Sequence, residues 1–235
     1  MHPGAHFLPG MRCLLIIGAA GILTGCVATR PPPSTAAVTV LTPPAREGAL
    51  EARIDVAHLD RKLLAQAIFD ETNRVRASIG LPAFHHLMKL DEAADLESAV
   101  GRVYRPPSHT NPFPPIGTPM ARVQYVGLQA ERVAENIALV PVYEDAAVAL
   151  VLRDGKLLPI HPATYEPAKL ATYRGFAATV LDLWMNSPGH RANIMSPALH
   201  DLGCSVVPSV SMNGIDQMFC VQVFFTAGGP GKVMH

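Results

Sequence analysis

The sequence predicts an α+β fold. Three stretches carry apolar residues at helical spacing, and two β-rich runs separated by turn residues close the chain. A further Asp-Gly pair between apolar arms marks a second hairpin. The first helical face starts near Leu59, with Leu63, Leu64, Ala67, Ile68, Val75 and Ile79 largely on one side and an interruption at Glu71. Gly80 can close that helix and Pro82 forbids a restart. The second run extends from Leu90 to Tyr104, with Asp91 near its start and Ala94, Val100 and Tyr104 directed to the core. Pro106-Pro107 stops it, and residues 105–120 are proline-rich and irregular. The third spans roughly Pro167 to Asn186, with Leu170, Tyr173, Ala177, Val180, Leu181 and Trp184 in phase. Leu202–Val210 and Met218–Phe225 read as strands joined through Met212-Asn213-Gly214-Ile215.

Composition narrows the function. Lys and Arg number 19 against 19 Asp and Glu, so no basic excess supports a nucleic-acid role. An apolar fraction of 49% with 16% charged residues is too apolar for a wholly disordered chain, and 235 residues can bury a core.

The N-terminus reads as an address. Arg12 precedes an apolar run from Leu14 to Leu23, too short to span a bilayer. It ends in Leu23-Thr24-Gly25-Cys26, which resembles the lipobox of bacterial lipoprotein signal peptides; Cys26 would be lipidated and become the new N-terminus. Val27 stands where an Asp would retain the protein at an inner membrane, so outer-membrane sorting is expected in a two-membraned organism. Loss of the leader removes Arg12 and leaves 18 basic against 19 acidic residues. The proline-rich segment from Arg30 to Pro44 then reads as a tether. The expected organisation is a signal peptide (1–25), a tether (26–58) and a folded domain (59–228).

Cys204 and Cys220 lie one on each closing strand, an even number of residues apart. An odd-length loop would set them opposite each other, and an envelope location permits a disulfide. Two buried thiols packed as small apolar groups are the alternative.

His109 and His190 have the most informative surroundings of the histidines. Ser187-Pro188 looks like the N-cap and first-turn proline of a short helix. His190 would sit in its first turn, where the helix dipole keeps imidazole neutral. A capping or surface role is the simpler reading for such a residue. His109 lies in the stiff proline-rich loop, and Glu135 is a carboxylate among apolar neighbours that needs a partner if buried. A buried acid bracing a loop would account for Glu135 equally well.

Together these motifs resemble a family. They are Asn73-x-x-Arg76-x-x-x-Gly80-Leu81-Pro82, Ser108-His109, Ala134-Glu135-Asn136-Ile137-Ala138, Trp184-Met185-x-Ser187-Pro188-Gly189-His190-Arg191-x-Asn193-Ile194 and Val221-Gln222-Val223-Phe224. In this order the set resembles the bacterial branch of the CAP/SCP superfamily of cysteine-rich secretory proteins. The resemblance implies an α-β-α sandwich with a small, mainly antiparallel sheet between helical layers. It also implies a cleft lined by His109, Glu135, Asn136, His190 and Arg191. In many eukaryotic members two His and two Glu line that cleft and can hold a divalent metal. Here the second His is missing before Val221, and Ser187 replaces the second Glu.

No cofactor is therefore required, and a cation such as zinc on His109, His190 and Glu135 is the one candidate. The interval from Ile137 to Trp184 is far longer than in the bacterial pattern and contains the Asp154-Gly155 hairpin. That segment, around 142–166, reads as a lid or partner-binding edge, or as a tolerated surface insertion. The expected function is a lipid-anchored, extracytoplasmic module that binds a lipid, glycan or protein of the bacterial cell envelope. The alternative is a metal-dependent envelope hydrolase using His109, Glu135 and His190.

Overall fold

The computed structural model describes residues 47–104, 106–145, 147–209 and 214–229. The leader, Cys26, the tether as far as residue 46 and most of the expected turn before Gly214 lie outside the described residues. No described helix is long and apolar enough to cross a membrane.

The folded chain begins earlier than the sequence suggested. A short helix α1 (Glu47–Leu50) and the segment after it pack inward, with Leu50 and Ile54 buried. The Ile54 N–H donates to the Ala171 carbonyl at 2.9 Å. Residues 47–58, read above as the end of the tether, thus join the folded domain through Leu50 and Ile54.

Helix α2 (Arg61–Ser78) starts where the Asp60 carboxylate accepts the Leu63 N–H at 3.0 Å. It ends as Gly80 takes φ +76°, a left-handed conformation that only glycine adopts without strain. A two-residue strand β1 (His85–His86) leads into α3 (Met88–Gly101), a 3-10 turn (Pro114–Ile116) and α4 (Pro119–Tyr125). Strand β2 (Ala130–Pro141), the hairpin β3 (Ala149–Arg153) and β4 (Lys156–Ile160), and helices α5 (Tyr173–Met185) and α6 (Pro188–Ile194) follow. Strands β5 (Asp201–Pro208) and β6 (Gln217–Ala227) close the fold.

The main sheet has the order β1-β5-β6-β2; only the β1–β5 pairing is parallel. Side chains alternate across it. One face, with Ala138, Cys204, Val206, Cys220 and Phe224, packs on α2 and α5. The other, with Ile137, Val207, Phe219, Val221 and Val223, packs on α3 and α4. The result is the expected α-β-α sandwich. Trp184 is fully buried, and its Nε1 donates to the Ile137 carbonyl at 3.3 Å.

Three sequence expectations need correction. The third helix starts at Tyr173 rather than Pro167, because residues 167–170 are extended and bridge to Ile160 and Tyr143. Thr172 then provides the cap, its Oγ1 accepting the Gly175 N–H. Tyr104 is exposed; the inward face of α3 is Leu90, Ala93, Ala94, Glu97, Ser98 and Gly101. Finally, Cys204 and Cys220 are free buried thiols. Cys204 pairs with Gln222, and Cys220 with Val206. The two cysteines share a sheet face but sit diagonally, each paired two residues away from the other.

Candidate functional site

Strand β2 feeds two polar networks from adjacent residues. Glu135 points to the α3–α4 face, and Asn136 to the α2–α5 face.

On the first face, Glu135 is held from both sides. Its Oε2 accepts from Arg122 Nη2 at 2.6 Å, and its Oε1 accepts from His109 Nδ1 at 2.9 Å. Arg122 comes from α4, whose start is fixed by the Thr118 cap and Pro119. Its Nη1 reaches Glu97 Oε2 on α3 at 2.9 Å. The same guanidinium donates to the carbonyls of Ile116 and His109, which fixes the proline-rich loop. Asn111 braces that loop by donating to Ile116 O and Glu97 Oε2. The Arg122, Glu97 and Glu135 side chains are 0–1% exposed, whereas that of His109 is 47% exposed. The network therefore runs Glu97–Arg122–Glu135–His109 from core to solvent. Since Nδ1 is engaged, Nε2 is the ring nitrogen that His109 has left for a ligand.

On the second face, Asn136 Nδ2 donates to Gln222 Oε1 and to the His190 carbonyl, both at 3.2 Å. Gln222 Nε2 in turn donates to Thr72 Oγ1 at 2.7 Å. Asn193 returns from α6, its Nδ2 donating to Asn136 Oδ1 at 2.9 Å and to the Glu135 carbonyl. From the far side, buried Arg76 donates through Nη1 to the Ile194 carbonyl at 2.6 Å, with its guanidinium 3.8 Å above the Phe84 ring. These bonds fasten α6, and with it His190, to the strand that carries Glu135. Arg191 is exposed, and its Nε lies 3.2 Å from Met195 Sδ, away from the Glu135 network.

The two histidines titrate in opposite directions. The hydrogen bond to Glu135 is the main cause that raises His109, reinforced by the charges of Glu135 and Glu97. Burial first, then the charge of His109, lowers His190. The rings thus sense each other, one biased to imidazolium and the other to neutral imidazole. Burial also pushes Glu97 up to about 7, against the pull of Arg122.

This donor set does not fit a divalent cation. Both Glu135 oxygens are engaged, and a guanidinium lies within 2.6 Å of one of them. Among the described residues no group of three or more His, Cys, Asp and Glu is placed to hold a metal ion. Surface cavities among the described residues include a groove of about 820 Å³ between α2, α3 and β5 and a smaller pocket beside His161; neither of these two is lined by His109, Glu135 or His190.

Sequence reading did not find Arg122 or Glu97. The signal for Glu97 was present: it completes the Leu90, Ala93, Ala94, Ser98, Gly101 face, so a charge stood at a core position. Arg122 gave no local signal, since its partners come from α3 and β2.

A family model described as the cysteine-rich secretory protein (CAP) family matches residues 69–224. No curated protein sequence matches the chain. Solved structures with similar folds include an extracellular protein containing an SCP domain from Bacillus anthracis, 23% identical, TM-score 0.44, covering 70% of this chain and 41% of that one. An outer surface protein from Borrelia burgdorferi is 15% identical, TM-score 0.45, with 76% and 99% covered. A cysteine-rich secretory protein from Staphylococcus aureus is 13% identical, TM-score 0.41, with 71% and 39% covered. The chain thus spans well under half of the Bacillus and Staphylococcus chains.

Proposed function

Since the chain belongs to the cysteine-rich secretory protein (CAP) family, we propose that it is a ligand-binding CAP module held in a bacterial cell envelope by a lipid on Cys26. One observation carries the binding reading. Glu135 is clamped between Arg122 and His109, so its carboxylate serves to orient and charge an imidazole rather than to ligate a metal. His109 then offers Nε2–H to an anionic or hydrogen-bonding group of a lipid, glycan or protein ligand. His190, biased to the neutral form, offers a second donor or acceptor beside it. Extracytoplasmic location is supported by the lipobox-like Leu23-Thr24-Gly25-Cys26 after an apolar run.

Two measurements test this. Native mass spectrometry of protein purified from envelopes should show a retained small molecule that His109→Ala loses while the melting temperature holds. Zinc titration should give no stoichiometric site; tight zinc binding abolished by His109→Ala with His190→Ala would replace this reading with the metal-dependent hydrolase. For the anchor, acyl labelling should vanish in Cys26→Ser, and labelling that persists would refute it.

A further inference from the structure

The hairpin β3–β4 forms a two-stranded sheet of its own, separate from the main sheet. Asp154 and Gly155 make its turn, both with positive φ, as a tight two-residue connection requires. Its tip is apolar on both faces. Leu152 pairs with Leu157 on one face and Val151 with Leu158 on the other. Leu152 is 66% exposed, Leu157 56% and Leu158 40%. Arg153 and Lys156, also exposed, pair across the turn. The root is acidic instead, with Glu144, Asp145 and Glu166. Asp154 in the turn offsets one of the two tip cations, so the leucine-bearing tip has two cations against one anion, while the three root carboxylates stand beside Arg53, His161 and Lys169.

The chain enters the domain beside that root. Arg53, six residues after Glu47, pairs with Glu144 at 2.8 Å and also donates to the Leu170 carbonyl. From Cys26 to Glu47 the chain can extend at most roughly 70 Å. A domain tethered at Cys26 thus stays within reach of the bilayer, with its hairpin root at the tethered end.

We propose that the Leu152–Leu158 tip of this hairpin, flanked by Arg153 and Lys156, docks the domain on an anionic bilayer surface. The leucines enter the headgroup boundary while the two cations meet anionic headgroups. Depth is limited to that boundary, because a two-stranded ladder has unpaired edge amides and carbonyls that hydrocarbon cannot satisfy. The proposal rests on the anchored reading above for the presence of a membrane, but the contact itself needs no lipid on Cys26.

The test uses the full chain carrying Leu152→Trp. Trp184 is buried and serves as a constant background. With phosphatidylcholine–phosphatidylglycerol vesicles, emission should shift to the blue and be quenched by brominated lipid. With phosphatidylcholine alone, or at high salt, the response should largely disappear. Changing Arg153 and Lys156 to Gln together should weaken the partition about thirtyfold. If the protein sediments with vesicles while the Trp signal stays unchanged, the leader binds and the hairpin does not, and the proposal fails. A blue shift that grows with protein concentration without vesicles would assign the tip to a second copy, and also overturns it. Cys26→Ser should leave the shift intact, so failure of the anchor and failure of the hairpin contact read out separately.

Discussion

Replacing Arg122 by Met removes one cation from between two buried carboxylates. Glu97 and Glu135 are each 1% exposed and lose ion-pair contacts of 2.9 and 2.6 Å to the guanidinium. The carbonyls of Ile116 and His109 lose a donor as well. Breaking a buried ion pair by deleting one partner costs about 3–5 kcal/mol. His109 stays beside Glu135 as a partial substitute, so about 4 kcal/mol is expected. For a domain of this size that corresponds to a fall in melting temperature of about 8–16 °C. The loss must depend on pH. Burial already pushes Glu97 up to about 7, and without Arg122 it has lost its main downward pull. At about pH 5 Glu97 is neutral with or without Arg122 and its share of the defect vanishes; as pH rises through about 7 it ionises readily only beside the guanidinium, so the defect grows towards about pH 8. Thermal melts of wild type, Arg122→Met and Arg122→Lys at both pH values measure this, with Lys intermediate because it lacks the fork. A fall of under about 3 °C at the higher pH, or one equal at both, would refute the charged buried network.

The wild type should itself lose stability as pH rises. Glu97 is raised by burial and His109 by its bond to Glu135, so each contributes stability that is full below its ordinary value and lost through its folded one. For Glu97 the window runs from about 4.5 to about 7 and the loss is at most about 3 kcal/mol; urea midpoints should flatten there in Glu97→Gln, and an unchanged slope would count against it. Gly203→Ala should lower the unfolding free energy from urea melts by about 3 kcal/mol, because a Cβ there overlaps the Leu90 and Asp91 backbone of α3; near-wild-type stability would mean α3 does not approach β5 so closely. Reductant should leave the melting temperature unchanged, since Cys204 and Cys220 are free; a drop of several degrees would establish a disulfide.

What the sequence could show was local. Helical spacing through Trp184 and the Asp154-Gly155 turn required only neighbouring residues; the hairpin formed where its pattern stood, and the helix formed from Tyr173 onward. The cysteines mark the limit. Their even separation fixes a shared face, whereas pairing depends on where the turn is centred. The strand register pairs Cys204 with Gln222 and Cys220 with Val206, two residues from the pairing that would oppose the cysteines. Tyr104 was placed inward because the α3 face was followed only through apolar residues; keeping Glu97 and Ser98 in the count gives the true face. Within the site, His109, Glu135 and the α6 motif could be named from residues. Arg122 could not, since a guanidinium on an unremarkable short helix becomes central only when α3, α4 and β2 meet.

Helix α6 is fastened at both ends. Asn136 holds the His190 carbonyl, Asn193 is tied back to β2, and Arg76 holds the Ile194 carbonyl. A rim secured in this way cannot swing to meet an incoming molecule without breaking bonds both to β2 and to Arg76 of α2. His190 therefore belongs to a preset surface, and on the proposed binding reading a ligand there would be selected by shape and hydrogen-bond match rather than by closure. Little ordering entropy remains to be lost on contact, so even a small ligand that fits can be held.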